Sequence, residues 1–225
     1  LHLLSRRQRQ MCIRDSAHTM CIREAGQEYP YTLITDSLHN IYNMVTVIAA
    51  LRQLGYDHGT IARRMAEVKI PASRLSEEEI GGVKVIMQMS KDKNALACSR
   101  NFDYIRSKPG KKELLLMMNC LGVAKSWSEN PSWMYDTDFE FLNSDDVTCL
   151  VCAGPRAYDY QLRLLLAGIP RQKIRLAEDE FAALELLPLT PGDDVYLLYG
   201  VDGTPLAFRV REKLKEKLLA KEGAQ

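Results

Sequence analysis

Apolar residues in the first third of the chain follow strand-like and then helical spacing. Between Ser37 and Leu54 apolar side chains recur every three or four positions, Asp36 or Ser37 offers an N-cap, and Gly55 follows as a stop signal. This spacing is typical of a helix that buries one face. The elements predicted here are a hairpin over 19–35 that turns at Gly26, a helix over 37–54, and a second helix over about 58–68.

The pattern changes after Ile70. Residues 71–82 are polar and show no period, so they mark the best domain boundary and a connection without structure of its own. Beyond them, runs that are apolar on both faces alternate with helical patterns, as in parallel sheets covered by helices on both sides. The predicted strands are 83–89, 113–119, 147–153, a weaker 173–177 and 194–200, and the predicted helices are 95–106, 156–167, 179–187 and 204–221. The fold class that follows is α/β, with a doubly wound, mostly parallel sheet.

In such a sheet, ligands and partners meet the loops at the carboxyl ends of the strands. Here those loops begin at Ser90, Cys120 and Gly154, and the longest spans 120–137. We therefore expect the functional residues of this part of the chain to lie in these loops.

Residues 1–16 differ from everything that follows. The stretch LHLLSRRQRQMCIRDS is rich in arginine and has no hydrophobic period that continues into the next segment. It is similar to a translated sequencing-adapter read, and the alternative is a disordered basic arm. We expect the genuine sequence to begin near Ala17, with part of the gene upstream of it.

The charge balance argues against nucleic acid and membranes as partners. Thirty Lys and Arg residues face 29 Asp and Glu residues, a net charge of +1, which leaves no surplus for a phosphate backbone or an anionic membrane. No apolar run reaches the ~18 to 20 residues of a transmembrane segment, and no signal peptide is evident, so we expect a cytoplasmic location. Six scattered cysteines fit a reducing compartment.

Cys149 and Cys152 form a C-x-x-C pair, a spacing shared by zinc and redox sites. They fall within the predicted strand 147–153, where residues three apart point to opposite faces of the sheet. No second pair stands at zinc-ribbon spacing. The sequence therefore predicts two packed thiols and no metal site.

Three segments carry a family resemblance. SLHNIYNMVTVIAALRQLG (37–55) contains H-N-x-x-N and a small-residue helix ending in Leu-Gly, and it resembles the close of the central ATP-binding domain of Mur ligases. NPSWMYDTDFEFL (130–142) and CAGPRAYDYQLRLLLAG (152–168) are similar to paired segments of the MurT type of Mur ligase. The resemblance implies that 17–70 is a remnant of the central domain and that 71–225 is a Rossmann-like C-terminal α/β domain.

MurT-type ligases use ATP and Mg²⁺ to turn a carboxylate into an acyl phosphate, which ammonia then displaces. The resemblance implies that the acceptor is the α-carboxylate of D-glutamate in lipid II or its stem peptide, and that a GatD-type glutamine amidotransferase is the partner that supplies ammonia. No G-x-x-x-x-G-K-[ST] phosphate loop occurs in the 225 residues. ATP and Mg²⁺ are therefore expected to bind mainly outside this sequence, and this fragment alone is expected to be inactive.

Four residues are implied in nucleotide binding by the resemblance. An Asn amide offers both a donor and an acceptor to the adenine edge, a role implied for Asn40, with His39 and Asn43 beside it. Arg74 stands in a Ser-Arg-Leu similar to the family's Gly-Arg-Met and would lie near the nucleotide or at the domain hinge. The alternative for Asn40 and Asn43 is that they cap the first turn of the helix.

Asn130 stands where the family has a catalytic acid. In MurT-type proteins the Asp of D-x-S-W completes the Cys-His pair of the amidotransferase, and a carboxylate in that role orients the imidazole and stabilises the imidazolium. This sequence has Glu129-Asn130-Pro-Ser-Trp instead. An amide can hold the ring but cannot offset its charge, which predicts weakened glutamine hydrolysis; Glu129, one residue away, is a candidate substitute.

Two further pairs are candidates for contact with substrate or partner. Lys91 and Lys93 match a family lysine that could approach the acyl phosphate or ATP, and the alternative is a solvated surface lysine. Gly154 and Arg156 open a helix directly after a strand, where backbone N–H groups and a guanidinium can hold an anion. Their alternative role is the turn itself.

The segment after Asn130 adds three more candidates. Trp133 is expected either in a docking surface or in core packing at its base. Asp136 and Asp138 are expected to cap or anchor the helix that starts near Phe139, with contact to the partner as the alternative.

Two other functions remain open from the sequence. One is a non-enzymatic MurT-like module that binds or regulates an amidotransferase and whose triad position has become Asn130. The other is a different Mur-like ligase, for example of the folylpolyglutamate synthase type, against which the segments SWMYDTDFE and GPRAYDYQLRL argue.

Overall fold

The computed structural model divides the chain into two compact units, Leu1–Ile70 and Pro71–Gln225. No helix among the described residues is long and apolar enough to cross a membrane. The described residues are 10–14, 18–34, 38–69, 74–91, 93–118 and 130–223.

The first unit combines a three-stranded antiparallel sheet with two helices. Its elements are β1 (Gln10–Arg14), β2 (Thr19–Glu24), β3 (Gln27–Thr32), α1 (Leu38–Gln53) and α2 (His58–Met65), and the strand order is β1-β2-β3. The predicted hairpin and both predicted helices are confirmed. The N-cap candidates Asp36 and Ser37 lie outside the described residues. The main buried core residues are Met20, Ile22, Tyr31, Ile41, Met44, Ile48 and Ile61.

β1 corrects the expectation that residues 1–16 hold no ordered element. Residues 10–14 pair with β2 in antiparallel register, with Cys12 opposite Cys21. A five-residue strand is too short for a hydrophobic period to be recognised in the sequence. The adapter-like origin of the stretch stays a prediction.

His58 ties the hairpin of the first unit to both of its helices. Its Nδ1 lies 2.6 Å from the Tyr31 hydroxyl and its Nε2 lies 2.7 Å from the Glu24 carboxylate. The same carboxylate accepts a hydrogen bond from Arg52 at 3.0 Å, and the His58 ring stacks on Tyr29. Burial raises the pKa of Tyr31 to about 12, so its hydroxyl stays protonated at neutral pH. Every ring nitrogen of His58 thus has a partner, as a structural role requires.

The second unit is an α/β domain built on a six-stranded sheet. The strand order is β4-β5-β9-β6-β7-β8, with β4 antiparallel to β5 and all other neighbours parallel. The predicted fold class, the five predicted strands and three of the four predicted helices are confirmed. The elements are β4 (Leu75–Ile80), β5 (Val83–Met89), α3 (Ala95–Ser107), β6 (Lys112–Met117), β7 (Val147–Ala153), α4 (Ala157–Leu166), β8 (Ile174–Ala177), β9 (Asp194–Tyr199) and α5 (Thr204–Glu222).

Two separate apolar cores cover the two faces of this sheet. Phe102 of α3 and Leu164 of α4 belong to the core on one face. Leu214 of α5 belongs to the core on the other face. Because both faces are covered, the parallel strands can be apolar throughout, which is why the sequence shows them as continuous hydrophobic runs.

β4 corrects the prediction that 71–82 is a connection without structure. Its glutamates point to solvent and pair with lysines, Glu77 with Lys84 and Glu78 with Lys215, so the strand lacks the apolar run of its neighbours. The signal in the sequence is the Gly81-Gly82 pair. Both glycines have positive φ, +57° and +72°, as the two-residue turn of a tight hairpin requires.

The helix predicted over 179–187 is also wrong. Only a single 3₁₀ turn forms there, over Ala182–Glu185. The Asp179 carboxylate accepts hydrogen bonds from the N–H groups of Phe181 and Ala182 at 2.8 Å, and Pro188 has no N–H with which to continue a helix. The apolar residues of the run still pack into the core beneath α5.

Cys149 and Cys152 lie on opposite faces of β7, as predicted, because each belongs to a different core. Burial raises the pKa of Cys149 to about 11 and that of Cys152 to about 12. Both side chains are therefore neutral thiols near pH 7, and they pack as small apolar groups.

Candidate functional site

The carboxyl ends of the neighbouring strands β5 and β9 are linked by a hydrogen bond in the second unit. The Ser90 N–H donates to the Tyr199 carbonyl at 2.8 Å. Next to this contact, the Lys93 ammonium lies 3.8 Å from the Asp202 carboxylate. Residues from two different loops therefore meet where parallel sheets bind their ligands.

Lys91 and Lys93 occupy different surroundings at these strand ends. Lys91 is half-buried, whereas Lys93 is exposed and has a φ of +67°. Asn94 follows as the N-cap of α3, with its side-chain oxygen 3.0 Å from the N–H of Ala97. Because Lys93 already has Asp202 as an ion partner, any anion would compete with that carboxylate. Contact of either lysine with phosphate stays a prediction.

Asn130 is an exposed residue that caps a short 3₁₀ turn over Pro131–Met134. Its Oδ1 accepts a hydrogen bond from the Ser132 N–H at 3.0 Å. Only the oxygen of an amide can accept, so this bond fixes which branch of the side chain faces the turn. The other branch is the Nδ2 group, a donor. Glu129, the candidate substitute, lies outside the described residues.

Asp138 stands at the N-cap position of the turn over Phe139–Leu142, but its side chain makes no capping hydrogen bond, so of the two predicted roles the contacts support anchoring. Its backbone N–H instead donates a hydrogen bond to the Ser99 hydroxyl of α3 at 2.8 Å. This bond anchors the chain without using the carboxylate. Asp136 and Asp138 are both exposed.

Trp133 is half-buried and packs against the core beneath α3 and α4. Its carbonyl accepts a hydrogen bond from the Thr137 hydroxyl at 2.8 Å. Tyr135, two residues later, is 52% exposed. Of the two roles left open for Trp133, packing at the base of the surface is thus observed, while Tyr135 offers an aromatic ring to solvent.

Arg163 of α4, which the sequence did not single out, holds this segment in place. Its guanidinium donates to the carbonyls of Met134 and Thr137 at 3.1 and 2.7 Å. It also donates to both carboxylate oxygens of Glu140, at 2.9 and 2.8 Å. This hydrogen bond lowers the pKa of Glu140, so the carboxylate is ionised at neutral pH. The segments 130–142 and 152–168 therefore bind each other directly.

Gly154 and Arg156 form the opening of α4 after β7. Gly154 has a φ of +75°, which a residue with a Cβ rarely adopts. Arg156 lies at the N-cap position, and its guanidinium is 2.9 Å from the Asp159 carboxylate. The turn is as predicted, and binding of an anion here stays a prediction.

The nucleotide candidates are divided between the two units. Asn40 is half-buried and Asn43 is exposed, both in the first part of α1, and the His39 side chain is not described. Arg74 belongs to the second unit, where its carbonyl accepts a hydrogen bond from the Met89 N–H at 2.9 Å. Neither the adenine contact nor the capping alternative is tested by these contacts.

A family model confirms the family resemblance predicted for the second unit. The model described as MurT ligase C-terminal matches residues 92–200, a range that includes both Asn130 and Arg163. Residues 92–200 are a MurT ligase C-terminal domain. The MurT domain thus runs from the start of α3 to the end of β9, and it includes the loops at the carboxyl ends of β6, β7 and β8.

Two curated relatives agree with the MurT assignment. The lipid II isoglutaminyl synthase (glutamine-hydrolyzing) subunit MurT of Streptococcus pneumoniae is 26% identical over 151 residues, which are 66% of this chain and 32% of that protein. The subunit of the same name from Staphylococcus aureus is 25% identical over 130 residues, which are 58% of this chain and 29% of that protein. The chain spans about a third of the length of these relatives.

Solved structures of Mur ligases share the fold of this MurT-type chain. MurF from Acinetobacter baumannii aligns with a TM-score of 0.64 at 16% identity, over 92% of this chain and 44% of that one. MurF from Thermotoga maritima, in complex with ADP, aligns with a TM-score of 0.61 at 17% identity, over 94% of this chain and 46% of that one. At these identities the likeness establishes the fold alone.

Proposed function

We propose that this chain is the C-terminal part of an ATP-dependent MurT subunit. Together with a GatD-type glutamine amidotransferase, that subunit would amidate the α-carboxylate of D-glutamate in lipid II during peptidoglycan synthesis. The match of residues 92–200 to the MurT C-terminal model supports the proposal, as do the names of the relatives. A cytoplasmic location, where ATP is available, belongs to the same proposal.

The observation that carries this proposal is the direct bonding between the two segments that resemble MurT. Arg163, in QLRL, binds the main chain of Met134 and Thr137 and the carboxylate of Glu140, in DFEF. Two motifs far apart in sequence thus build one surface, which has exposed Asn130, Tyr135 and Asp136 along it. The exposed Tyr135 is the kind of aromatic side chain that is enriched at protein interfaces.

In the proposed complex, this surface meets the amidotransferase. Asn130 would face the partner's catalytic histidine, and Trp133, Asp136 and Asp138 would shape the contact around it. The Nδ2 branch of Asn130 can donate a hydrogen bond to an imidazole nitrogen, whereas the aspartate of the family would accept one. Ammonia released by the partner would then react with the activated carboxylate.

The residues that the structure describes do not fit the Mg²⁺ that accompanies ATP. The sequence has no phosphate loop, and the described residues contain no group of three His, Cys, Asp or Glu that could hold a metal ion. We assign phosphate binding to the part of the relatives that this chain does not span. His39, Asn40, Asn43 and Arg74 remain proposed contacts to the nucleotide base or the hinge.

A docking module without glutaminase function is the second candidate. Asn130 favours it, because an amide at the triad position cannot stabilise an imidazolium. In that case the chain would still bind an amidotransferase, but it would regulate that enzyme and take no part in amidation.

The test is amidation of lipid II by a full-length protein that contains this chain, mixed with a GatD-type amidotransferase, ATP and Mg²⁺. We expect ammonium chloride to support formation of the amidated product, detected by mass spectrometry, and glutamine to support it at a far lower rate. The 225-residue chain alone is the control and should give no product. Absence of product with both nitrogen sources would rule out the ligase and leave the docking module.

A further inference from the structure

Arg163 is a buried cation whose side-chain bonds all lead to one segment, residues 134–140. Its side chain is 8% exposed, whereas its ion partner Glu140 is 55% exposed. Its guanidinium also lies over the Phe139 ring, with 5.2 Å between the carbon and the ring centroid. A buried guanidinium is stable only where hydrogen-bond acceptors surround it. The segment supplies those acceptors in its observed conformation, so a change of that conformation would leave the guanidinium without them.

The two main-chain carbonyls that Arg163 binds stand on either side of the exposed Tyr135-Asp136 pair. Met134 ends the 3₁₀ turn that Asn130 caps, and Thr137 precedes the turn over Phe139–Leu142. Single 3₁₀ turns have poor hydrogen-bond geometry and do not hold themselves in place. The stretch from Asn130 to Asp136 is therefore held from below by the guanidinium as well as by the side chains of Trp133 and Met134, which pack in the core.

We propose that Arg163 is a positioning residue for the partner-binding surface, which presents Asn130, Tyr135 and Asp136. We also propose that the Glu140 carboxylate orients the guanidinium of Arg163. This inference rests on the proposed function, since the surface it positions is the one assigned to the amidotransferase. Arginine suits the role because its planar fork reaches several acceptors in fixed directions, while a lysine ammonium is a single point charge. Glu140 stands at the solvent-exposed end of the fork, so it fixes the rotamer without being needed for the core.

The experiment measures two properties of the 225-residue chain and its variants. One is the dissociation constant for a GatD-type amidotransferase, by isothermal titration calorimetry. The other is hydrogen exchange at the backbone amides of Ser132 and Tyr135, which report directly on the turn after Asn130. The variants are Arg163→Lys, Glu140→Gln, and the control Leu214→Ala on the opposite face of the sheet.

We expect Arg163→Lys to weaken binding about tenfold and to accelerate exchange at both amides, and Glu140→Gln to weaken binding roughly threefold. Leu214→Ala lowers the melting temperature but should leave both readouts at the wild-type value. Glu140 is exposed, so its variant folds even if Arg163→Lys does not. Wild-type affinity and exchange in the Arg163 and Glu140 variants would overturn the proposal, and so would an equal loss of affinity in the Leu214 control. If the wild-type chain binds no amidotransferase, the proposed function fails, and the docking role of Arg163 fails with it.

Discussion

Replacing Asn130 by Asp is expected to raise the glutaminase activity of the complex with a GatD-type amidotransferase by about a hundredfold or more. Oδ1 of the aspartate can keep the cap on the Ser132 N–H that Asn130 provides. The second branch then becomes an oxygen, which accepts a hydrogen bond from the imidazole and stabilises its charged form. With the amide in place, that branch donates and favours the wrong tautomer of the histidine.

Glutaminase turnover of the complex, followed as glutamate released from glutamine, measures this effect. Ser132→Asp is the matched control, because it places the same charge on the same exposed turn but away from the triad position. We expect a gain for the Asn130 variant alone. Equal gains in both variants would show a general charge effect, and no gain in either would mean that Asn130 does not face the histidine.

The second large effect is expected from Phe139→Ala. Phe139 is fully buried, and its ring lies 4.8 Å from that of Phe102 and 6.3 Å from that of Tyr160. Truncating a buried phenylalanine costs about 3 to 5 kcal/mol, from lost burial and the cavity that remains. Since a whole domain is stable by only about 5 to 15 kcal/mol, the second unit should be severely destabilised.

Denaturant unfolding followed by tryptophan fluorescence measures this loss, because both tryptophans belong to the second unit. Phe141→Ala is the control within the same turn. Phe141 is only half-buried, under the Arg106 guanidinium, and its truncation should cost about 1 to 2 kcal/mol. Similar losses in the two variants would contradict the central packing role assigned to Phe139.

The sheet could be predicted from the sequence because its parallel strands are buried on both faces. β5 and β7 are predominantly apolar on both faces, and their bounds match the prediction. β4 was not predicted, for the opposite reason. As an edge strand it exposes three glutamates in succession and buries Ile80 alone, so only the Gly81-Gly82 turn marked it.

Only part of the candidate site could be predicted from the sequence. The position of Arg163 could have been found, since it lies three residues after Tyr160 and four before Ala167, within the buried face of α4. An arginine at that spacing must have buried acceptors. Two of its four acceptor atoms are main-chain carbonyl oxygens, however, and no sequence pattern reveals those. The direction in which the Asn130 amide points likewise depends on a backbone turn and not on residue type.

A binding measurement between the purified 225-residue chain and a GatD-type amidotransferase tests whether the chain is part of a MurT subunit. If the chain carries the partner-binding domain of a MurT subunit, sedimentation velocity should show a 1:1 complex, and substitution of exposed Tyr135 by Asp should weaken it. A chain that sediments separately from the amidotransferase at micromolar concentrations of both would contradict the account.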